Sequence, residues 1–132
     1  MLEIQCGLGV MPQFMNDNGF INFKGIDNSE NVSEFWDNTD ILSVREPDNT
    51  GFDDQQFHLV CWYTMNDGRI DQERIPQVLD EMERIGHGVI ILRPFDKWVR
   101  GKDAEFLAFM MDSGWSCSDA ESRHKMFLFH KG

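Results

Sequence analysis

The chain has 132 residues, 41% of them hydrophobic and 12% aromatic, which is enough apolar material for one folded core and too much for a disordered chain. Its 12 Lys and Arg stand against 23 Asp and Glu, a formal net charge of −11 that disfavours nucleic acid and anionic membranes as electrostatic partners. No apolar run approaches the roughly 20 residues of a membrane span. The opening Met1-Leu2-Glu3-Ile4-Gln5-Cys6 also lacks the basic flank and long apolar stretch of a secretory leader. Cys6, Cys61 and Cys117 are widely spaced, without the close pairs of a zinc site or disulfide framework. A reducing, cytoplasmic setting is expected. No repeat or linker divides the chain, so residues 1–132 read as one domain.

Taken in order, short apolar runs alternate with helical patterns. Leu2-Glu3-Ile4 predicts a strand that enters a glycine turn at Gly7 and Gly9. Val10, Met11, Phe14 and Met15 share one face of a helix over 10–18, which Gly19 ends. Alternation over Phe20 to Ile26 predicts the second strand, leading to Asp27. Ser29 suits the cap of a helix over Glu30 to Trp36, and Thr39 to Val44 a short third strand. The polar stretch Arg45 to Gln56 reads as a surface loop.

Phe57 to Trp62 is nearly continuous in apolar residues, as a central parallel strand should be. Ile75, Val78, Leu79, Met82 and Ile85 mark an amphipathic helix over 71–85, with Pro76 in its first turns where a missing N–H is tolerated. Val89 to Leu92 is a buried strand, Lys102 to Asp112 a further helix, and Trp115–Ser118 and Lys125–His130 a closing pair of strands. The alternation implies a doubly wound, mostly parallel Rossmann-like α/β sheet with an antiparallel C-terminal edge strand.

In such a sheet, ligands bind outside the carboxyl ends of the strands where strand order reverses. The turn Gln5-Cys6-Gly7-Leu8-Gly9 joins the first strand to a helix N-terminus, whose free N–H groups suit an anionic or polar ligand. Asp27 follows at the end of the second strand, where a carboxylate accepts both hydroxyls of a ribose.

With these residues in place, the sequence resembles the Rossmann-like, class I S-adenosylmethionine-dependent methyltransferases. Leu2 to Gly9 is similar to the family's acid-x-G-x-G-x-G motif, and Gly25-Ile26-Asp27-Asn28-Ser29 to its second motif. Asp40-Ile41 resembles the third-strand pair that reads adenine. Phe57-His58-Leu59-Val60, Met82 to Pro94 and Met111 to Trp115 resemble later motifs, in order and over nearly the whole chain. The resemblance implies S-adenosylmethionine as cofactor. Glu3, Gln5, Cys6, Gly7 and Gly9 would lie along its methionine part, Asp27 and Asn28 at the ribose, and Asp40 with Ile41 at the adenine. Trp62, at the fourth strand's end, is placed to pack on the sulfonium by a cation–π contact.

Two substitutions depart from the family pattern. Gln5 stands at the motif's first glycine, and His58 where Asp is usual. The family also places helices before its first motif, whereas this chain opens on the strand. A homodimer or a partner subunit covering the open site is therefore expected.

The implied activity is methyl transfer to a small molecule or a protein side chain. The alternative is a non-catalytic relative that binds cofactor or scaffolds a partner. No catalytic base is assigned, with Tyr63, Asp67 and His124 the candidates by position. His58, His87, His124 and His130 show no metal-ligand spacing. No Asn/Asp-Pro-Pro-aromatic motif or Pro-Cys pair accompanies the fourth strand, which also disfavours a DNA substrate.

Overall fold

The computed structural model describes residues 1–20, 22–62, 72–87, 89–92, 108, 110–117 and 127–130. Its strands are β1 (Leu2–Ile4), β2 (Lys24–Asp27), β3 (Leu42–Val44), β4 (Val60–Trp62), β5 (Val89–Leu92), β6 (Ser116–Cys117) and β7 (Phe127–His130). Its helices are α1 (Val10–Asp17), α2 (Glu30–Ser33) and α3 (Ile75–Ile85), the last entered through a 3₁₀ turn at Gln72–Arg74. Residues 108 and 110–112 are helical and fall within the helix expected over Lys102 to Asp112.

The sheet order is β3-β2-β1-β4-β5-β7-β6. Strands β1 to β5 are parallel, and β7 runs antiparallel to both β5 and β6. The antiparallel strand thus lies inside the sheet with β6 at its edge, a correction to the expected antiparallel edge. β7 inserts between β5 and β6, so the closing pair extends the sheet with its second strand innermost.

Steps from β1 to β2 and from β2 to β3 run the same way, so right-handed crossovers put α1 and α2 on one face. The step from β4 to β5 runs the opposite way and puts α3 on the other. Strand order reverses between β1 and β4, and a cleft is expected at their carboxyl ends.

Packing follows the sequence pattern closely at α3. Ile75, Val78, Leu79, Met82 and Ile85 are buried together with Leu2, Ile4, Ile26, Val60 and Phe129, each fully buried large apolar side chain contributing about 1.5–3 kcal/mol. The loop 45–56 is fastened onto this helix. Thr50 donates its N–H and hydroxyl to Glu81 Oε2 at 2.7 and 2.8 Å, and Arg84 donates to Glu81 Oε1 at 2.6 Å. Burial alone would raise the Glu81 pKa, but the Arg84 guanidinium and the Thr50 donors hold it below the ordinary carboxylate value.

Strands β2, β3 and β4 start later than the sequence predicts, β3 at Leu42 instead of Thr39. Phe20 donates to the Met15 carbonyl as part of the exit from α1, so β2 begins only at Lys24. Phe57 pairs with the α3 exit through the Ile85 carbonyl and the His87 N–H, so β4 begins at Val60. Ser29 caps α2 as expected, accepting from the Val32 N–H at 3.4 Å.

Candidate functional site

The turn after β1 is built on two glycines in the left-handed region, Gly7 at φ +60° and Gly9 at φ +74°. They serve different ends. A Cβ at Gly7 would meet nothing within 4 Å, so this backbone faces open space. A Cβ at Gly9 would run into the Leu42 side chain, so this glycine lets the start of α1 close onto β3.

The Gly7 peptide unit is held from both sides. Its N–H donates to Asp27 Oδ2 at 2.9 Å, and its carbonyl accepts from the Trp36 indole, also at 2.9 Å. Asp27 is 1% exposed, and its other oxygen accepts from the Ser29 N–H at 2.9 Å. One carboxylate therefore fixes both the glycine turn and the start of α2.

Glu3 lies in register with Gly25 of β2 and Cys61 of β4, at the reversal of strand order. It is 7% exposed, and its Oε2 has no hydrogen-bond partner among the described residues. Burial, with the charge of Asp27 adding to it, pushes its pKa up to about 7. A buried carboxyl with an unfilled acceptor costs stability and attracts any cation or donor that reaches it.

Gln5 adopts φ +53°, a conformation usually left to glycine. Its side chain turns into the interior, 2% exposed, where Oε1 accepts from the Trp62 indole at 2.7 Å. The glutamine at the motif's first glycine thus points away from the turn and ties the end of β1 to the end of β4. Cys6, also buried, donates its N–H to the Ile26 carbonyl at 2.9 Å and packs beside Gly25. Asn28 is half-buried next to Asp27.

Three of the expected residues are placed differently. In the parallel register, Gly25 pairs with Leu42 and Asp27 with Val44. Asp40 and Ile41 consequently precede β3, at the end of the sheet opposite Asp27, and are not beside the cleft. Their assignment is corrected: the carboxyl end of β3 is Val44, followed by Arg45 and Glu46. Trp62 does stand at the end of β4, but its ring is fully buried and its N–H is used by Gln5, so it is a core residue and not an open cleft wall. Tyr63, Asp67 and His124 lie outside the described residues.

Two residues went unnoticed in the sequence. Trp36 anchors the turn, and no local pattern distinguishes it from a surface aromatic after a short helix. Glu46 could have been found from the Leu42-Ser43-Val44 alternation, which ends just before it. It pairs with Arg74 at 2.9 Å, and Asp48 pairs with the same guanidinium at 2.8 Å. That pairing links the end of β3 to the entry of α3.

Among solved structures, this fold recurs repeatedly. A SAM-dependent methyltransferase from Archaeoglobus fulgidus superposes with a TM-score of 0.68 at 16% identity, covering 87% of this chain and 60% of its own. The chain has the fold of the class I SAM-dependent methyltransferases. The magnesium protoporphyrin IX methyltransferase of Synechocystis, solved with bound SAM, matches at TM-score 0.68 and 14% identity over 99% of this chain and 69% of its own. A Haloferax volcanii methyltransferase, in complex with the Trm112 methyltransferase activator, matches at 0.68 and 14% over 97% and 79%. No protein-family model and no curated protein matches the sequence. Likeness at this level rests on fold alone. It is also partial, since the chain spans 60% of the length of the A. fulgidus protein.

Proposed function

We propose that the protein is an S-adenosylmethionine-dependent methyltransferase acting on a small molecule or a protein side chain, with residues 1–132 forming its cofactor domain. What supports this reading is the open Gly7 backbone bonded to the buried Asp27 carboxylate at the end of β2, near a buried Glu3 whose Oε2 has no hydrogen-bond partner among the described residues. When bound, the cofactor supplies a methyl group on a positively charged sulfur.

The chain's own residues would position that group. Gly7 permits close approach of the ligand to the backbone, and Gly9 sets the helix start behind it. Glu3 meets the cofactor's α-ammonium, which would supply the partner that Oε2 lacks. Asp27, with Asn28, would take the ribose hydroxyls at the end of β2. The adenine lies toward the carboxyl end of β3, near Glu46. Gln5 and Cys6 support the turn from beneath.

Methyl transfer is an in-line displacement, so positioning supplies much of the rate. The described helices include none long and apolar enough to cross a membrane, and a cytoplasmic enzyme that meets a protein partner at this cleft fits the acidic surface.

Incubation with methyl-labelled S-adenosylmethionine, against a small-molecule extract and a protein extract in parallel, tests the activity. Label in one pool names the acceptor class. Cofactor binding without label in either pool would contradict catalysis and point to a non-catalytic subunit.

A further inference from the structure

The apolar side of α1 faces away from the protein. Its inner side is formed by Pro12 and Asn16. A Cβ at Gly25 would come within 2.9 Å of Pro12 Cγ, so the helix rests directly on β2. The Asn16 amide donates to the Pro12 and Phe23 carbonyls at 2.8 and 2.7 Å and locks the helix in that rotation. Val10, Met11 and Phe14 are thereby turned outward, Val10 72% and Phe14 60% exposed. Leu8, ahead of the helix, and Phe35, 73% exposed after α2, add to them. The Trp36 bond to the Gly7 carbonyl draws the Phe35 segment beside the same turn.

A surface helix ordinarily shows water its polar side, and a large exposed apolar patch marks an interaction surface. The charge around this one narrows its occupant. Asp17, Glu30, Glu34 and Asp37 are all exposed on α1, on α2 or just after it. Over residues 1–44 as a whole, seven acidic side chains accompany a single basic one, Lys24. A second copy docking through this face by a two-fold axis would set acid against acid.

We infer that the outward face of α1, with Leu8 and Phe35, docks a different protein through a segment with an apolar centre and a Lys/Arg rim. The inference deepens the proposed function, because the face borders the glycine turn of the proposed cofactor cleft. Its test reads the surface independently of the cofactor.

The probes are two synthetic amphipathic helical peptides, one with leucines on one side and lysines on the other, the second with glutamates replacing the lysines. Fluorescence anisotropy compares their binding to the native protein, to Phe14→Ser and to the double variant Glu30→Lys/Glu34→Lys. The lysine peptide is expected to bind the native protein more tightly at low than at high salt, and the glutamate peptide not to bind. Each variant should weaken the lysine peptide by about tenfold or more, through loss of one buried aromatic or of two favourable charges. Phe14 is exposed, so Phe14→Ser should keep its circular dichroism and its affinity for S-adenosylhomocysteine.

Unchanged peptide affinity in Phe14→Ser would overturn the inference by reducing the attraction to diffuse charge. A native dimer in sedimentation that Phe14→Ser dissociates would overturn it in favour of a second copy. Failure of S-adenosylhomocysteine to bind the native protein, with peptide binding intact, would instead count against the cofactor reading alone.

Discussion

Replacing Glu3 by glutamine should change how stability depends on pH, because the buried carboxyl holds its proton more firmly in the folded state than in the unfolded one. Its pKa rises from an ordinary value of 4.5 to about 7. Below the unfolded value, both states are protonated at Glu3, and its favourable contribution is fully present. As pH rises between the two values, the unfolded chain releases the proton while the folded protein retains it, so stability falls. Above about 7 both states are ionised and the loss is complete. At 1.36 kcal/mol per pKa unit, the full loss is about 3 kcal/mol.

Glu3→Gln keeps the shape and removes the titration. Urea unfolding of both proteins from acid to mildly alkaline pH isolates the effect, because the other carboxylates cancel in the difference. The variant should gain up to about 3 kcal/mol over the native protein between the acid and alkaline ends. A difference that stays constant with pH would refute the buried, unpartnered state of Glu3.

Other consequences follow from particular contacts. Gln5→Gly leaves the fully buried Trp62 indole without its 2.7 Å acceptor, at a cost of about 1–3 kcal/mol, while relief of the left-handed glutamine returns about 1–2 kcal/mol, so the net loss should be at most about 2 kcal/mol. In a double-mutant cycle with Trp62→Phe, a coupling near 1 kcal/mol or above is expected, and strict additivity would contradict the tie between β1 and β4. Gly9→Ala forces a methyl into Leu42 and should be more destabilising than Gly7→Ala, which meets only open space and costs about 1 kcal/mol of backbone strain. Ligand titration should rank them the other way, with Gly7→Ala losing more cofactor affinity per unit of stability lost. Glu81→Gln should cost about 1–3 kcal/mol at neutral pH in urea unfolding. Because the Glu81 pKa is lowered on folding, that difference should shrink as pH falls through the carboxylate range.

How much of this could be read in the sequence depended on whether local pattern or distant pairing decided the outcome. The α3 stripe, the β5 run and the glycine turn with Asp27 carry their period or chemistry locally, and their elements form where the pattern places them. The third strand does not. Thr39 to Val44 contains a usable strand, but its start and its carboxyl end are set by the pairing of Leu42 with Gly25, seventeen residues of chain and a helix away. Asp40 and Ile41 therefore fall before β3, at the opposite end of the sheet from Asp27.

The helical period of α1 was legible, but which side the sheet would take was not. An amphipathic pattern normally settles that question. Here Pro12 packs against Gly25, and the apolar side is left facing out. Gln5 was equally opaque, since a positive φ at a non-glycine residue has no local signature. Its side chain is buried and accepts from the Trp62 indole.

Calorimetric titration with S-adenosylmethionine and S-adenosylhomocysteine, on the native protein and on Asp27→Ala, would test the cofactor assignment most directly. Asp27 also holds the Gly7 N–H, so the thermal unfolding of the variant should be measured beside it to show that the chain remains folded. The expected result is micromolar binding of both ligands by the native protein and its loss in a folded Asp27→Ala. No binding by the native protein, or undiminished binding by the variant, would contradict a cofactor held between the glycine turn and Asp27.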